Sequence, residues 1–189
     1  MDASELHHRS VEGFGQMVRT VRNDQWHAPT PNPGWDVREL VNHLVAENRW
    51  TRPLMTGMTI EEVGDRFEGD LLGDDPRRAW EEAAAEALEA MGAEGAMTRI
   101  VHISAGDVTG EEYALQLFSE HLIHGWDLAR AIGAPDRLDP ELVRAAMGWF
   151  ALKEEEYRRA GAIGPRPQIP PGADEQTVLL AMFGRRGQP

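Results

Sequence analysis

Apolar residues recur at helical spacing from the start of the chain. Leu6, Val11, Phe14, Met17, Val18 and Val21 form one stripe, which predicts an amphipathic helix over about Ser4 to Val21. Ala28-Pro29-Thr30-Pro31-Asn32-Pro33-Gly34 cannot extend it, because prolines lack an amide donor and hold their predecessors extended. Asp36 then stands as an N-cap with Glu39 in the capping-box position, and Leu40, Val41, Leu44 and Val45 carry a second helix to about Met55. Gly57 to Gly73 has no period and reads as a connection, with a short helix at Thr59 to Phe67. Asp75-Pro76 opens a third long helix to Met91, with proline at its first position and an alanine-rich body. Met97 to Ile103 alternates like a strand and Gly106-Asp107-Val108 like a turn, so at most a small β-hairpin intervenes. A second capping-box pattern, Thr109 with Glu112, starts a fourth helix through Leu117, Phe118 and Leu122 to about Ile132. Asp139-Pro140 starts a fifth, reaching about Arg159, with Val143, Ala146, Met147, Phe150 and Leu152 as its stripe. Ala162 to Ala173, with four prolines, reads as extended chain, and Val178 to Phe183 as a short terminal helix or turn. The predicted fold is all-α, a single domain over residues 1–189 in which four long helices pack together and the fifth packs on them.

Composition narrows the function. A hydrophobic share of 41% over 189 residues is enough for a sizeable core. The formal charge of -13, from 32 acidic against 19 basic residues, opposes a polyanionic partner, so no nucleic acid is expected. With no cysteine, thiolate ligands and a cysteine nucleophile are excluded, and any thiol must come from solution. No apolar run approaches a membrane span and the N-terminus has no leader pattern, so a cytoplasmic protein with small-molecule partners is expected, with a homodimer open.

The chemistry centres on Glu120-His121-Leu122-Ile123-His124-Gly125-Trp126-Asp127. Glu120 and His124, four apart in mid-helix, project from one face on adjacent turns, and such a pair chelates a divalent ion when another helix supplies a third ligand. His43 on the second helix is the candidate. Glu47, one turn on, is a rival ligand or a partner to the histidine, and Asp127 is placed to accept the other ring N-H of His124. His121 lies about 100° round the helix from Glu120 and cannot share that face. Alone, the pair is a weak signal and reads more readily as a solvated helix face with a satisfied histidine. His7, His8 and His102 read as solvent-facing, and Trp26, Trp35, Trp50, Trp126 and Trp149 as packing before pocket walls.

Two separated motifs, Gly34-Trp35-Asp36-Val37-Arg38-Glu39-Leu40-Val41-Asn42-His43-Leu44 and His124-Gly125-Trp126-Asp127-Leu128-Ala129-Arg130-Ala131, together resemble the actinobacterial metal-binding group of the DinB/YfiT-like superfamily, related to the N-terminal domain of mycothiol-dependent maleylpyruvate isomerase. Asp74-Asp75-Pro76 and Leu179-Leu180-Ala181-Met182-Phe183-Gly184-Arg185 resemble the same group. The resemblance implies a DinB-like up-and-down four-helix bundle with a divalent ion near one end. It also implies that His43, Glu120 and His124 are the ligands. Two histidines and a carboxylate suit zinc, with nickel the alternative.

The activity implied is that of a thiol-dependent, mycothiol-type transferase or isomerase. In it, the ion would hold a low-molecular-weight thiol as a thiolate for attack on a small electrophile, with Arg130 and Arg49 as candidate substrate cations. The isomerase's second, C-terminal domain has no stretch left for it in this sequence, which counts against isomerisation itself. The alternatives are a hydrolase using metal-bound water with Glu47 or Asp127 as general base, and a non-catalytic metal- or ligand-binding bundle. Three protein ligands leave a position open and favour chemistry, whereas a fourth from Glu47 would close it.

Overall fold

A computed structural model describes residues 1–187, in chain order α1 (Ala3–Thr20), α2 (Val37–Met55), α3 (Ile60–Val63), α4 (Pro76–Met91), β1 (Ile100–Ile103), β2 (Gly106–Thr109), α5 (Gly110–Ile132), α6 (Pro140–Phe150), α7 (Glu154–Arg159) and α8 (Glu175–Met182). The class is all-α, and the two strands form one antiparallel hairpin in which His102 faces Asp107 across the register. Of the four long helices, α2, α4 and α5 begin where the caps predict, and α1 is capped by Asp2, which accepts from the Glu5 amide at 2.9 Å. At α2 both halves of the capping box are made: Asp36 accepts from the Glu39 amide at 2.8 Å and Glu39 accepts from the Asp36 amide at 2.8 Å. At α5 only Thr109 caps, accepting from the Glu112 amide at 3.2 Å. The Glu112 carboxylate is turned outward to Trp149 Nε1 at 3.2 Å and Lys153 Nζ at 2.6 Å.

Side-chain registers fix the directions. Along α1 and α5, His7 meets His121 and Phe14 lies 3.8 Å from a Cβ built at Gly125, so the two helices run the same way. Along α2 and α4, Arg38 reaches Gly73 just before α4, and Arg49 and Arg52 pair with Glu86 and Glu89, so these also run together. Between the pairs the sense reverses, since Gly15 abuts Trp80 while Val21 accepts from Arg77. The bundle therefore runs up, down, down, up, with α1 flanked by α5 and α4, and α2 by α4 and α5. One apolar cluster, with Phe14, Val18, Leu40, Leu44 and Trp80, fills one end of the bundle. Another, with Leu54, Met91, Val101 and Leu117, fills the other end. A third joins the outer face of α5 to α6 and α8 through Phe118, Phe150, Leu179 and Phe183. Each such side chain, once fully buried, stabilises the fold by about 1.5–3 kcal/mol.

Three expectations need correction. The predicted fifth helix to Arg159 is two helices. It stops at Phe150, a turn leaves Leu152 86% exposed rather than in the stripe, and α7 then brings Tyr157 edge-on to Phe150 at 5.3 Å. That aromatic contact, with Lys153 tied to Glu112, takes the place of a continuous stripe. The helix expected over Thr59 to Phe67 is only the four residues of α3, because Gly64 at φ 61° ends it. His7 is not solvated. It is wholly buried against His121, whereas its neighbour His8 is exposed beside Glu12.

Candidate metal centre

The antiparallel pairing of α2 with α5 brings His43 opposite Glu120 and His124. Glu120 Oε2 lies 3.2 Å from His124 Nε2 and 3.7 Å from His43 Nε2. The three donor atoms fall within 4.8 Å of one another, and Glu47 is not in that group. Ligands held at 2.0–2.2 Å in a tetrahedron sit about 3.3–3.6 Å apart, and the 3.2 and 3.7 Å separations from Glu120 lie close to that, so this donor set suits one divalent ion. His43 and Glu120 are half-buried and His124 is nearly closed off. They lie in a cavity of about 230 Å³ walled by Trp35, Ile163, Phe183 and Arg185.

The surroundings set the protonation. His124 Nδ1 donates to Asp127 Oδ2 at 3.0 Å, which aims Nε2 at Glu120. Burial alone would lower the His124 pKa, but the bonds to Asp127 and Glu120 outweigh it and raise it to about 9. Burial would raise Glu120, and the neighbouring imidazoles of His124 and His43 hold it well below the usual carboxylate range instead. Glu47 is pushed up, chiefly by burial, with His43 pulling it down and Glu120 adding a smaller push up. These opposite shifts favour an imidazolium on His124 beside an ionised Glu120.

Asp127 is fully buried and its oxygens are spoken for, since Arg185 Nη2 donates to Oδ2 at 2.8 Å and Nε to Oδ1 at 3.3 Å. It orients His124 as expected, and it is not free to act as a general base. Gly184 makes the reach of Arg185 possible: its φ is 75°, and a Cβ there would lie 3.0 Å from the Gly164 carbonyl oxygen. Nothing in the sequence signals the Arg185 to Asp127 pair, 58 positions apart, because it exists only once the C-terminal segment folds back on α5.

Trp35 is the other residue sequence reasoning left among packing tryptophans. Its ring stacks on His124 at 5.7 Å and 22° and lies 4.9 Å from His43, roofing both imidazoles. The loop that carries it is fixed: the Thr30 amide donates to the Trp35 carbonyl at 3.0 Å, and the Trp35 amide to the Asn32 carbonyl at 3.1 Å. The proline run with Gly34 at φ 85° just before Trp35 was the available signal of a rigid presenting loop. Trp26 and Trp126 are core, and Trp50 and Trp149 pack partly buried, as expected. Neither candidate cation reaches the cavity. Arg130 pairs with Asp136 at 3.1 Å, and Arg49 with Glu86 at 2.6 Å across α2 and α4. His121 also stays out. Its Nδ1 donates to the Leu117 carbonyl at 2.6 Å, and burial lowers its pKa to about 4. His102 pairs with Asp107 on the hairpin.

Among the described residues, no helix is long and apolar enough to cross a membrane. Comparison with known proteins gives relatives over the whole length. Uncharacterized protein Rv0738 of Mycobacterium tuberculosis strain H37Rv is 31% identical over 194 residues, covering 98% of both chains. Uncharacterized protein MT0763 of strain CDC 1551 matches equally. Among solved structures, the mycothiol-dependent maleylpyruvate isomerase aligns with a TM-score of 0.61 at 18% identity, covering 87% of this chain and 72% of the isomerase. A histidine-to-alanine mutant of it aligns at 0.64 and 16%. These two share the fold. The sequence of residues 7–129 matches the family described as the mycothiol maleylpyruvate isomerase N-terminal domain, and this chain belongs to that family.

Proposed function

We propose that His43, Glu120 and His124 hold one divalent ion, zinc first and nickel second, and that the protein is a thiol-dependent, mycothiol-type transferase or isomerase acting on a small electrophile. The observation that carries the reading is the convergence of two imidazoles and one carboxylate, spaced for a single ion, on the floor of a cavity open to small molecules. Membership of a family named for a mycothiol-dependent activity supports the thiol as partner. Bound there, the ion would lower the pKa of a low-molecular-weight thiol and present it as a thiolate.

The chain's own residues account for the rest. Asp127 keeps the Nδ1 proton on His124, so that Nε2 is the nitrogen offered to an ion, and Arg185 holds Asp127 ionised. Trp35, Ile163 and Phe183 wall the cavity with apolar surface, which limits water beside a nucleophile. Glu47 holds its proton above the range of an exposed glutamate and can give it to a group that gains negative charge on thiol addition. One second reading is a hydrolase using metal-bound water with Glu47, whose pKa is raised beside the triad, as general base; Asp127 is not available for that role.

The test is a cobalt-substituted protein titrated with mycothiol, bacillithiol and glutathione in turn. A thiolate-to-cobalt charge-transfer band with one of them supports the proposal. Cobalt bound without a band for any thiol leaves hydrolysis or a structural ion. Failure to bind a stoichiometric ion would remove the proposal altogether.

A further inference from the structure

One wall of the triad cavity is formed by Ala162 and Ile163, at the start of the proline-rich segment that links α7 to α8. We propose that this segment is a strap that swings about Gly161 and Gly172, widening the cavity to admit a ligand and closing on it afterwards. The proposal rests on the reading of the triad as a ligand site and deepens it. Its test needs neither an ion nor a thiol, so the two can fail separately.

Three observations support it. The first is size. The cavity holds about 230 Å³, below the roughly 300–1,000 Å³ of sites that enclose a small organic molecule. His43 and Glu120 are only half-buried, so water and an ion reach the triad as it stands. A thiol and an electrophile together need one wall to move.

The second observation is which wall is free to do so. α2 and α5 carry the donors within the bundle, Trp35 hangs from a hydrogen-bonded loop, and Phe183 is stacked on Phe150 at 3.8 Å. The strap has nothing comparable. Among the described residues no amide from Ile163 to Gly172 donates a hydrogen bond, and no residue from Ala162 to Ala173 is buried. Few buried contacts and no backbone ladder put a segment at the low end of local stability. Its ends are Gly161 at φ 76° and Gly172 at φ 78°, a backbone region that glycine enters without strain.

The third observation is a latch, concentrated on α7. Arg158 donates to the Gly164 carbonyl and, at 3.0 Å, to the Met182 carbonyl, so one guanidinium ties the strap to the end of α8. Glu154 holds that guanidinium at 2.6 Å and also takes Arg166 of the strap at 3.1 Å. Gly164 rests against Gly184, and the next residue, Arg185, grips the Asp127 that orients His124. The closed strap and the aimed imidazole therefore share one support.

The chain has no cysteine, so one introduced thiol can report on the cavity. Ser119 lines it and is 2% exposed, and in metal-free Ser119→Cys the thiol should react with an aryl disulfide reagent only while the strap is lifted. The expected result is slow labelling that Arg158→Gln speeds at least about tenfold, the factor that loss of a charge-assisted hydrogen bond permits. Arg144→Gln, which breaks an exposed pair with Glu175 between α6 and α8, should leave the rate unchanged. In urea the rate should rise far less steeply than global unfolding does, since lifting the strap exposes little surface. Ile123→Cys, also 2% exposed in the same lining, repeats the measurement should Ser119→Cys not fold. Labelling as fast as a free thiol, equal rates with and without Arg158, the same acceleration from Arg144→Gln, or a urea slope matching global unfolding would overturn the proposal.

Discussion

At the scale of single residues, the triad is an arrangement whose members are worth little apart. Glu120 and His124 share a face by helical spacing, but the third donor and the polarity of the imidazole depend on other helices. His124→Ala should therefore abolish stoichiometric zinc binding in a metal analysis of dialysed protein, because two remaining donors make a poor site. His121→Ala should leave zinc binding nearly intact while lowering stability by about 2–4 kcal/mol in denaturant unfolding, since it empties a fully buried position. The reverse pattern would mean the helical phase is misassigned. Asp127→Asn should weaken zinc by about 10–100-fold, the usual loss when the carboxylate behind a ligating imidazole is removed. Unchanged affinity there would show that Arg185 and Asp127 hold only the C-terminal segment. The sequence carried Glu120, His124 and Asp127 through spacing on one helix. It carried His43 only as an isolated histidine on a half-inward face, and Arg185 not at all, because no local pattern encodes a contact between segments that meet by folding.

At the scale of elements, side-chain caps and prolines wrote the helix starts into the sequence, while the helix ends and the outer layer depended on tertiary contacts. Asp36, Asp75, Thr109 and Asp139 all cap the helices they were expected to cap, since a side-chain oxygen two or three residues from an orphan amide is a local event. Glu112 shows where local reading stops. Three residues from Thr109 it has the capping-box spacing, yet its carboxylate ties Trp149 and Lys153 at the junction of α6 and α7. Glu112→Ala should thus leave amide-exchange protection at the start of α5 nearly unchanged and reduce it across Glu154–Arg159. Loss confined to the start of α5 would restore the capping role. Gly184 is the corresponding device at the site's edge. Gly184→Ala forces a side chain into a left-handed conformation and against Gly164, at a cost of about 1–2 kcal/mol for the conformation alone. Because the next residue is Arg185, zinc affinity should fall in the same variant; a fall in stability alone would uncouple that turn from the metal centre.

At the scale of the whole molecule, buried histidines of opposite tendency give stability a maximum in pH. In the metal-free protein, His124 has a folded pKa of about 9, above the ordinary 6.5, so its contribution is complete below 6.5 and is lost as pH rises through about 9. His7 and His121 are held, first by burial, at about 3 and about 4, so their contribution is present above 6.5 and is lost as pH falls towards those values. Glu120 and Asp127, both lowered, add to the acid limb. The basic limb is unusually clean to read. The chain has one lysine, no cysteine and two tyrosines, and burial raises both tyrosines, so few side chains compete with His124 on the basic limb. Melting in a chelator should therefore peak near pH 6.5–7 and decline towards 9.5. An imidazole at its ordinary pKa would predict zinc loss only below about pH 6. A proton held until about 9 moves that window up, so apparent zinc affinity should already fall about tenfold per unit as pH drops below 9. Zinc should accordingly abolish or invert the basic decline in melting temperature, because the ion takes the place of the proton that rising pH removes. His124→Ala should lack both the decline and its rescue. A metal-free protein with a flat melting temperature from pH 7 to 9.5, or a decline that survives His124→Ala, would show that the imidazolium of His124 beside Glu120 does not stabilise the bundle.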